Sequence, residues 1–193
     1  MKKFDRRKFV RKRPKADQHR GLILYFYGDG KGKTTAAIGT AVRASGAGMR
    51  VAVVQFMKSE KWQSYERQAL KKLGIPVHVL GSGFVGILDD KHPLSWHKKT
   101  AKAALKKMKT ILASGKVDMV VADELVTAVE EGLLTERHTL LAIRVKPRNV
   151  HLIITGHSRY PKLIAASDIV SEIRNIKHPY YTEGMTAQRG VDF

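Results

Sequence analysis

The sequence predicts an α/β fold, a mostly parallel sheet with helices on both faces in a single domain. Three observations lead there. Short runs dense in Val, Ile and Leu recur from residue 21 onward. These runs are nearly continuous in apolar residues, which marks strands covered on both faces. Longer stretches with helical spacing separate them, and strand–helix alternation of this kind builds a parallel sheet.

In chain order the expected strands are 21–27 (GLILYFY), 50–57 (RVAVVQFM), 75–81 (IPVHVLG), 117–123 (VDMVVAD), 149–155 (NVHLIIT) and 168–174 (DIVSEIR). Helices are expected over 34–45, 62–73, 94–114, 135–145 and 161–166. Gly115, directly after the long third helix, stands where a C-cap glycine is favoured. His151 is expected in the core of its strand and His97 on the surface of its helix. Trp62 and Trp96 each lie near a helix start and are expected to pack there. No internal repeat and no second domain is visible, so 21–193 forms the domain and 1–20 an arm.

Composition bounds the function. A chain of 193 residues with 43% hydrophobic residues can bury a sizeable core. It has no cysteine, which excludes a disulfide framework, a thiolate metal site and a cysteine nucleophile. No apolar run approaches the roughly 20 residues of a membrane span. "LILYFY" is too short for a signal-peptide core, and a cytoplasmic protein is expected. The net charge is +19, and the arm holds ten Lys/Arg against Asp5 and Asp17. Such a block is ordinarily a solvated, self-repelling arm. It could bind nucleic acid electrostatically, but it contains no base-reading motif and only Phe4 and Phe9 for stacking.

The chemistry is concentrated in "YFYGDGKGKTTAAIG", Tyr25 to Gly39. It follows a strand and opens a helix, as a phosphate-binding loop requires, and implies a P-loop NTPase-like, RecA-like fold. The spelling is unusual, because Tyr27 stands where the first glycine should be and Gly28 comes one position late. Gly28, Gly30 and Gly32 would let successive backbone N–H groups turn inward around an anion. The helix start adds free donors and a positive dipole end. Lys33 supplies charge to the phosphates and Thr34 a hydroxyl to Mg²⁺ (or Mn²⁺). The fourth strand ends in Asp123 and Glu124, candidates for the same metal's shell.

Several segments together resemble one family. They are "GDGKGKTTAAIGTAVRASGAGMRVAVVQFMK", "VVADELVTAVEEGLL" with a helix after its acidic pair, "HLIITG", and the closing "SEIRNIKHPYYTEGMTAQRGVDF". The chain resembles the P-loop-type ATP:corrinoid adenosyltransferases over about residues 20–193. In that family the shortened loop is normal, and ATP is held with its triphosphate reversed so that the ribose C5′ is exposed. The resemblance implies that Co(I) of a reduced corrinoid attacks C5′ and expels triphosphate, with an electron-donating reductase upstream and a homodimeric assembly. It implies an ATP site of Gly28, Asp29, Gly30, Lys31, Gly32, Lys33, Thr34 and Thr35, with Thr34, Asp123 and Glu124 at Mg²⁺. Lys33, Thr34 and Glu124 become catalytic groups, joined by Arg43 as a polyphosphate ligand. From the residues alone, a solvent-facing helix charge is an equally good reading of Arg43. Phe84, in "GSGFVG", is implied on the corrinoid side, where an aromatic displaces the lower axial ligand and eases reduction to Co(I). The competing reading from the residues alone is a core plug under the loop. His178, in the closing segment, is expected to be structural.

The chain also departs from the family. Asp29 replaces the usual Asn, which is mildly unfavourable near phosphate unless it meets Mg²⁺ or Lys31. The family's "TGRG" is "TGHS" here, and Gly86 stands where a second aromatic is often found. A nucleic-acid-associated P-loop ATPase, with Glu124 activating water, and a non-catalytic ATP or corrinoid carrier stay open as other readings.

Overall fold

The structure, a computed structural model, describes residues 20–86 and 90–192. The basic arm, apart from Arg20, lies outside these. Six strands form one sheet: β1 (Ile23–Tyr27), β2 (Val51–Gln55), β3 (Val77–Val79), β4 (Met119–Asp123), β5 (His151–Gly156) and β6 (Ile169–Glu172). Their order is β3-β2-β4-β5-β1-β6, and every pairing is parallel. The α/β architecture with a parallel sheet is therefore as the sequence predicts.

The apolar runs serve two layers because successive side chains in a strand point to opposite faces. On one face Val53, Val121 and Ile153 pack with Ala37, Ala41 and Ala44 of α1 (Lys33–Gly46) and Leu70 of α2 (Tyr65–Lys72). On the other, Val120, Ala122, Leu152 and Ile154 meet α3 (Leu94–Ala113), α4 (Leu125–Glu130), α5 (Glu136–Arg144) and α6 (Pro161–Ala165). The three alanines let α1 lie close to the sheet, which fixes the loop that precedes it. At its far end, α3 is closed by Gly115 with φ 68°, the expected C-cap conformation.

Differences from expectation cluster at the edges. β3 is three residues long, half-buried throughout, and β6 is largely exposed. Both are edge strands, so the full burial read from their apolar runs is not met. Helix α2 begins at Tyr65, with Ser64 as its N-cap, and not at Trp62. A last helix, α7 (Pro179–Glu183), was not expected. His178 caps it, its Nδ1 accepting from Tyr180 N–H at 3.2 Å, which is a structural role.

His97 corrects a second expectation. It is buried, 1% exposed, and not a surface residue of α3. Its Nδ1 is 2.9 Å from Ser82 Oγ and its Nε2 2.8 Å from Asp90 Oδ2, so the loop from β3 folds over it and supplies both partners. His151 is half-buried at the start of β5, where Nδ1 accepts from Leu22 N–H at 3.1 Å. Trp62 packs on Phe84, ring centroids 5.3 Å apart. Trp96 stays 43% exposed, stacked on His92 and bearing Lys99 over its ring.

Candidate active site

The C-terminal ends of β1, β5 and β4 stand side by side and carry the site, as expected for ligand crevices of parallel sheets. After β1 the chain enters the glycine loop. Gly28 and Gly32 have φ of 123° and 120°, a region that side chains rarely tolerate. A Cβ on Gly28 would also lie 2.2 Å from Ile173 O. The loop is tied down on both sides: Gly28 N–H donates to His157 O at 3.0 Å and Gly30 N–H to Ile173 O at 2.9 Å. These two amides therefore do not turn inward around an anion, contrary to expectation. The anion-facing donors belong to the first turn of α1, whose N–H groups have no intrahelical partners.

Lys33, the first residue of α1, folds back over the loop. Its Nζ donates to Gly28 O at 2.7 Å and Gly30 O at 2.8 Å. Burial lowers its pKa below the ordinary lysine value, against the raising effect of Asp29 and Glu124. Thr34, next along, turns its hydroxyl to the acidic strand and donates to Asp123 Oδ1 at 2.8 Å.

Asp123 is fully buried and held on both oxygens. Oδ1 also accepts from Thr155 Oγ1 at 2.9 Å, and Oδ2 faces Gln55 Nε2 at 3.3 Å and Lys58 Nζ at 3.8 Å. Register explains Gln55, which lies directly opposite Asp123 on β2. Arg67 of α2 in turn donates to Gln55 Oε1 at 2.8 Å and fixes its amide.

Glu124 is the single connecting residue between β4 and α4, and it takes a left-handed conformation, φ 61°. A non-glycine residue held there stores backbone strain, a common feature of functional sites. Its N–H donates to Thr155 Oγ1 at 2.7 Å, while its Oε2 is buried without a partner. Burial, and then the charge of Asp123, push its pKa far up, to about 8. The threonine hydroxyl, a buried carboxylate and an unpartnered acid oxygen form a hard oxygen set, which suits Mg²⁺. Among the described residues, no cluster of three or more His, Asp or Glu competes as a metal site.

A cleft of about 630 Å³ opens over these groups. Lys31, Lys33, Thr34, Thr35 and Glu124 line it together with two residues not anticipated, Lys58 and His157. The chain's last described turn closes one side, where Asp192 pairs with Lys31 at 2.6 Å. Asp29 turns elsewhere: it neither meets Lys31 nor faces the cleft, and its Oδ1 accepts from Asn175 N–H at 3.3 Å. Arg43 lies exposed in the last turn of α1, about 15 Å along the axis from Lys33, and is not among the cleft's lining. Phe84 is half-buried against Trp62 and the larger core cluster, also outside that lining.

A family model described as ATP:corrinoid adenosyltransferase BtuR/CobO/CobP matches residues 19–193. The chain belongs to the ATP:corrinoid adenosyltransferase family. It is 37% identical over 178 residues to the corrinoid adenosyltransferase CobA of Salmonella typhimurium, covering 92% of this chain and 88% of that protein. It is 36% identical to the Escherichia coli (strain K12) corrinoid adenosyltransferase, with the same coverage. The corrinoid adenosyltransferase of Pseudomonas aeruginosa is 35% identical over 196 residues, covering 99% of this chain and 94% of that one.

In this family member, the sequence signals pointed to the loop and the acidic strand but not to their supports. Thr155, Gln55, Lys58 and Arg67 were missed. A signal existed for the first two: each is a polar residue inside an otherwise apolar strand, a local inconsistency that marks functional positions. His157 is where the "TGHS" departure falls. Burial and Lys33 lower its pKa, and its Nδ1 lies 3.9 Å from Glu130 Oε2.

Proposed function

We propose that this protein transfers the 5′-deoxyadenosyl group of ATP to Co(I) of a reduced corrinoid and releases intact triphosphate. The observation that carries this reading is the cleft itself. It joins a lysine–threonine phosphate loop to a buried acidic pair in a chain of the adenosyltransferase family.

The chemistry suits these residues. Cobalt contributes the electron pair that forms the Co–C5′ bond, and the C5′–O bond breaks with its pair leaving on triphosphate. The nucleophile belongs to the corrinoid, so the protein need not activate a serine, cysteine or lysine. Its own groups orient ATP and stabilise charge on the leaving group. Lys31, Lys33, Thr34, Thr35 and the α1 N-terminus face that charge from the loop, and Gly28, Asp29, Gly30 and Gly32 shape it. Thr34, Asp123 and Glu124 would hold Mg²⁺, which when bound neutralises phosphate charge. Arg43, exposed in the last turn of α1 and outside the cleft, has no part in this reading, and Phe84 would act from the corrinoid side.

A reductase that supplies Co(I), a homodimeric assembly and a cytoplasmic setting complete the proposal. No helix among the described residues is long and apolar enough to cross a membrane. The competing ATPase reading rests on net charge and Glu124, and family membership gives it no support.

The test incubates the protein with ATP, Mg²⁺ and chemically reduced cobalamin, following cobalt–carbon bond formation by absorbance and phosphate products by ³¹P NMR. Adenosylcobalamin and triphosphate in equal amounts are expected, both abolished by K33A. Corrinoid-independent release of ADP and phosphate would overturn the proposal.

A further inference from the structure

Lys58 stands in the loop after β2 and reaches the cleft from the far side of the acidic strand. In the sheet order, β4 and β5 separate its strand from β1, which leads into the phosphate loop. Lys31 and Lys33 therefore line one side of the cleft and Lys58 the other. Its Nζ is 2.6 Å from Glu66 Oε1, on α2, and 3.8 Å from Asp123 Oδ2.

A lysine lining a cleft, with a displaceable carboxylate as its near partner, is an anion site closed by an internal stand-in. Glu66 also lines the cleft, so the ion pair lies at the wall and not in the core. Both side chains are only about one-fifth exposed, 21% and 20%, so a phosphate oxygen there would meet a poorly hydrated ammonium.

We infer that Lys58 is a polyphosphate-binding residue on the wall opposite the glycine loop, and that Glu66 occupies it until phosphate arrives. The inference rests on the reading of this cleft as a triphosphate site. It assigns the chain a third lysine for a leaving group that carries more charge than the β- and γ-phosphates handled in simple hydrolysis. The phosphate oxygens replace Glu66 at Nζ, and the triphosphate is gripped from both sides of the acidic strand.

Binding of inorganic triphosphate, measured by calorimetry with Mg²⁺ present, separates the alternatives because the two partners should act with opposite sign. K58Q should weaken triphosphate binding about tenfold, the worth of one charge-assisted hydrogen bond. E66Q should strengthen it, because the stand-in loses its charge. A merely structural ion pair predicts losses in both, or in neither. Unchanged affinity in K58Q, or parallel weakening in both variants, overturns the inference while leaving the P-loop reading intact. If the wild-type protein binds no triphosphate, or K33A binds it as well as wild type, the reading of the cleft falls and the inference with it.

Discussion

Thr155 offers the sharpest test of how the acidic pair is held. Its hydroxyl is 1% exposed in effect, since the whole residue is, and it works twice. It donates to Asp123 Oδ1 and accepts the N–H of Glu124. Thr155→Val keeps nearly the same shape but removes both bonds. A hydrogen bond to a charged group is worth about 1.5–3 kcal/mol, and an orphaned buried N–H costs about 1–3 kcal/mol. Asp123 keeps Thr34 and Gln55, so the lower half of the first range applies. The expected loss is about 3–4 kcal/mol, large against total stabilities of about 5–15 kcal/mol. Thr155→Ser retains the hydroxyl and loses one methyl, at a cost of about 1 kcal/mol. Urea denaturation of wild type and both variants, in chelator and with unchanged m-values, measures this directly. Turnover should fall steeply in the valine variant and little in the serine one. If the valine variant loses less than about 1 kcal/mol, or the serine variant loses as much as the valine one, the hydroxyl is not what holds the acidic pair.

Three further outcomes are expected. Glu124 carries a pKa raised to about 8, so its favourable protonated state is fully present below the unfolded value near 4.3. That contribution is lost as pH rises towards 8. Glu124→Gln, compared with wild type in chelator by denaturation, should therefore gain relative stability between pH 5 and 8. The gain is at most about 1.4 kcal/mol per pH unit, and a pH-independent difference would contradict it. Phe84→Ala should cost about 1–2 kcal/mol, well below the penalty for a fully buried Phe, since Phe84 is half-buried. It should slow turnover that starts from Co(II) with a reductase more than turnover from preformed Co(I). Equal slowing from both starting points would remove it from the corrinoid side. Asp192→Asn should raise ATP affinity roughly twofold to fivefold by freeing Lys31, an effect that shrinks with added salt. Titrations at two ionic strengths would show an unchanged or weakened affinity if the pair only anchors the chain end.

The central strands were legible because burial on both faces leaves no choice of residue. β4 from Met119 and β5 from Leu152 are apolar without a break up to Asp123 and Thr155, which meet at the cleft. The edges were not, since β3 and β6 mix apolar with polar residues and have a neighbour on one side only. His97 misled for a related reason: nothing in its helix announces Ser82 and Asp90, which arrive from a loop closed by tertiary packing. The capping of α7 could have been read from His178–Pro179, a side-chain cap followed by proline at the first helical position. In the site, spacing revealed Lys33, Thr34, Asp123 and Glu124. It could not reveal Gln55, whose place opposite Asp123 depends on the register of two strands 68 residues apart.

The charge state of the cleft bears on how such a site can let its product go. Three lysines line it, and each already has an internal acceptor. Lys31 has Asp192, Lys58 has Glu66, and Lys33 has the carbonyls of Gly28 and Gly30. A polyphosphate must displace all three, so part of its gross attraction is offset by the bonds these lysines already make within the protein. Bare ammoniums would bind ATP more tightly, but they would hold triphosphate at least as tightly and slow its release, and binding energy shared by substrate and transition state does not speed the chemical step. Competing acceptors lower both affinities together and leave the developing charge at C5′–O bond breaking as the feature that the site can still favour. Lys33 shows this most directly. The two carbonyls that hold it are the loop's own, so its release on phosphate binding frees the loop that must shape itself to the anion. A lysine that left those carbonyls without phosphate would leave two buried acceptors unpaired, which favours the internal bonds until phosphate takes their place.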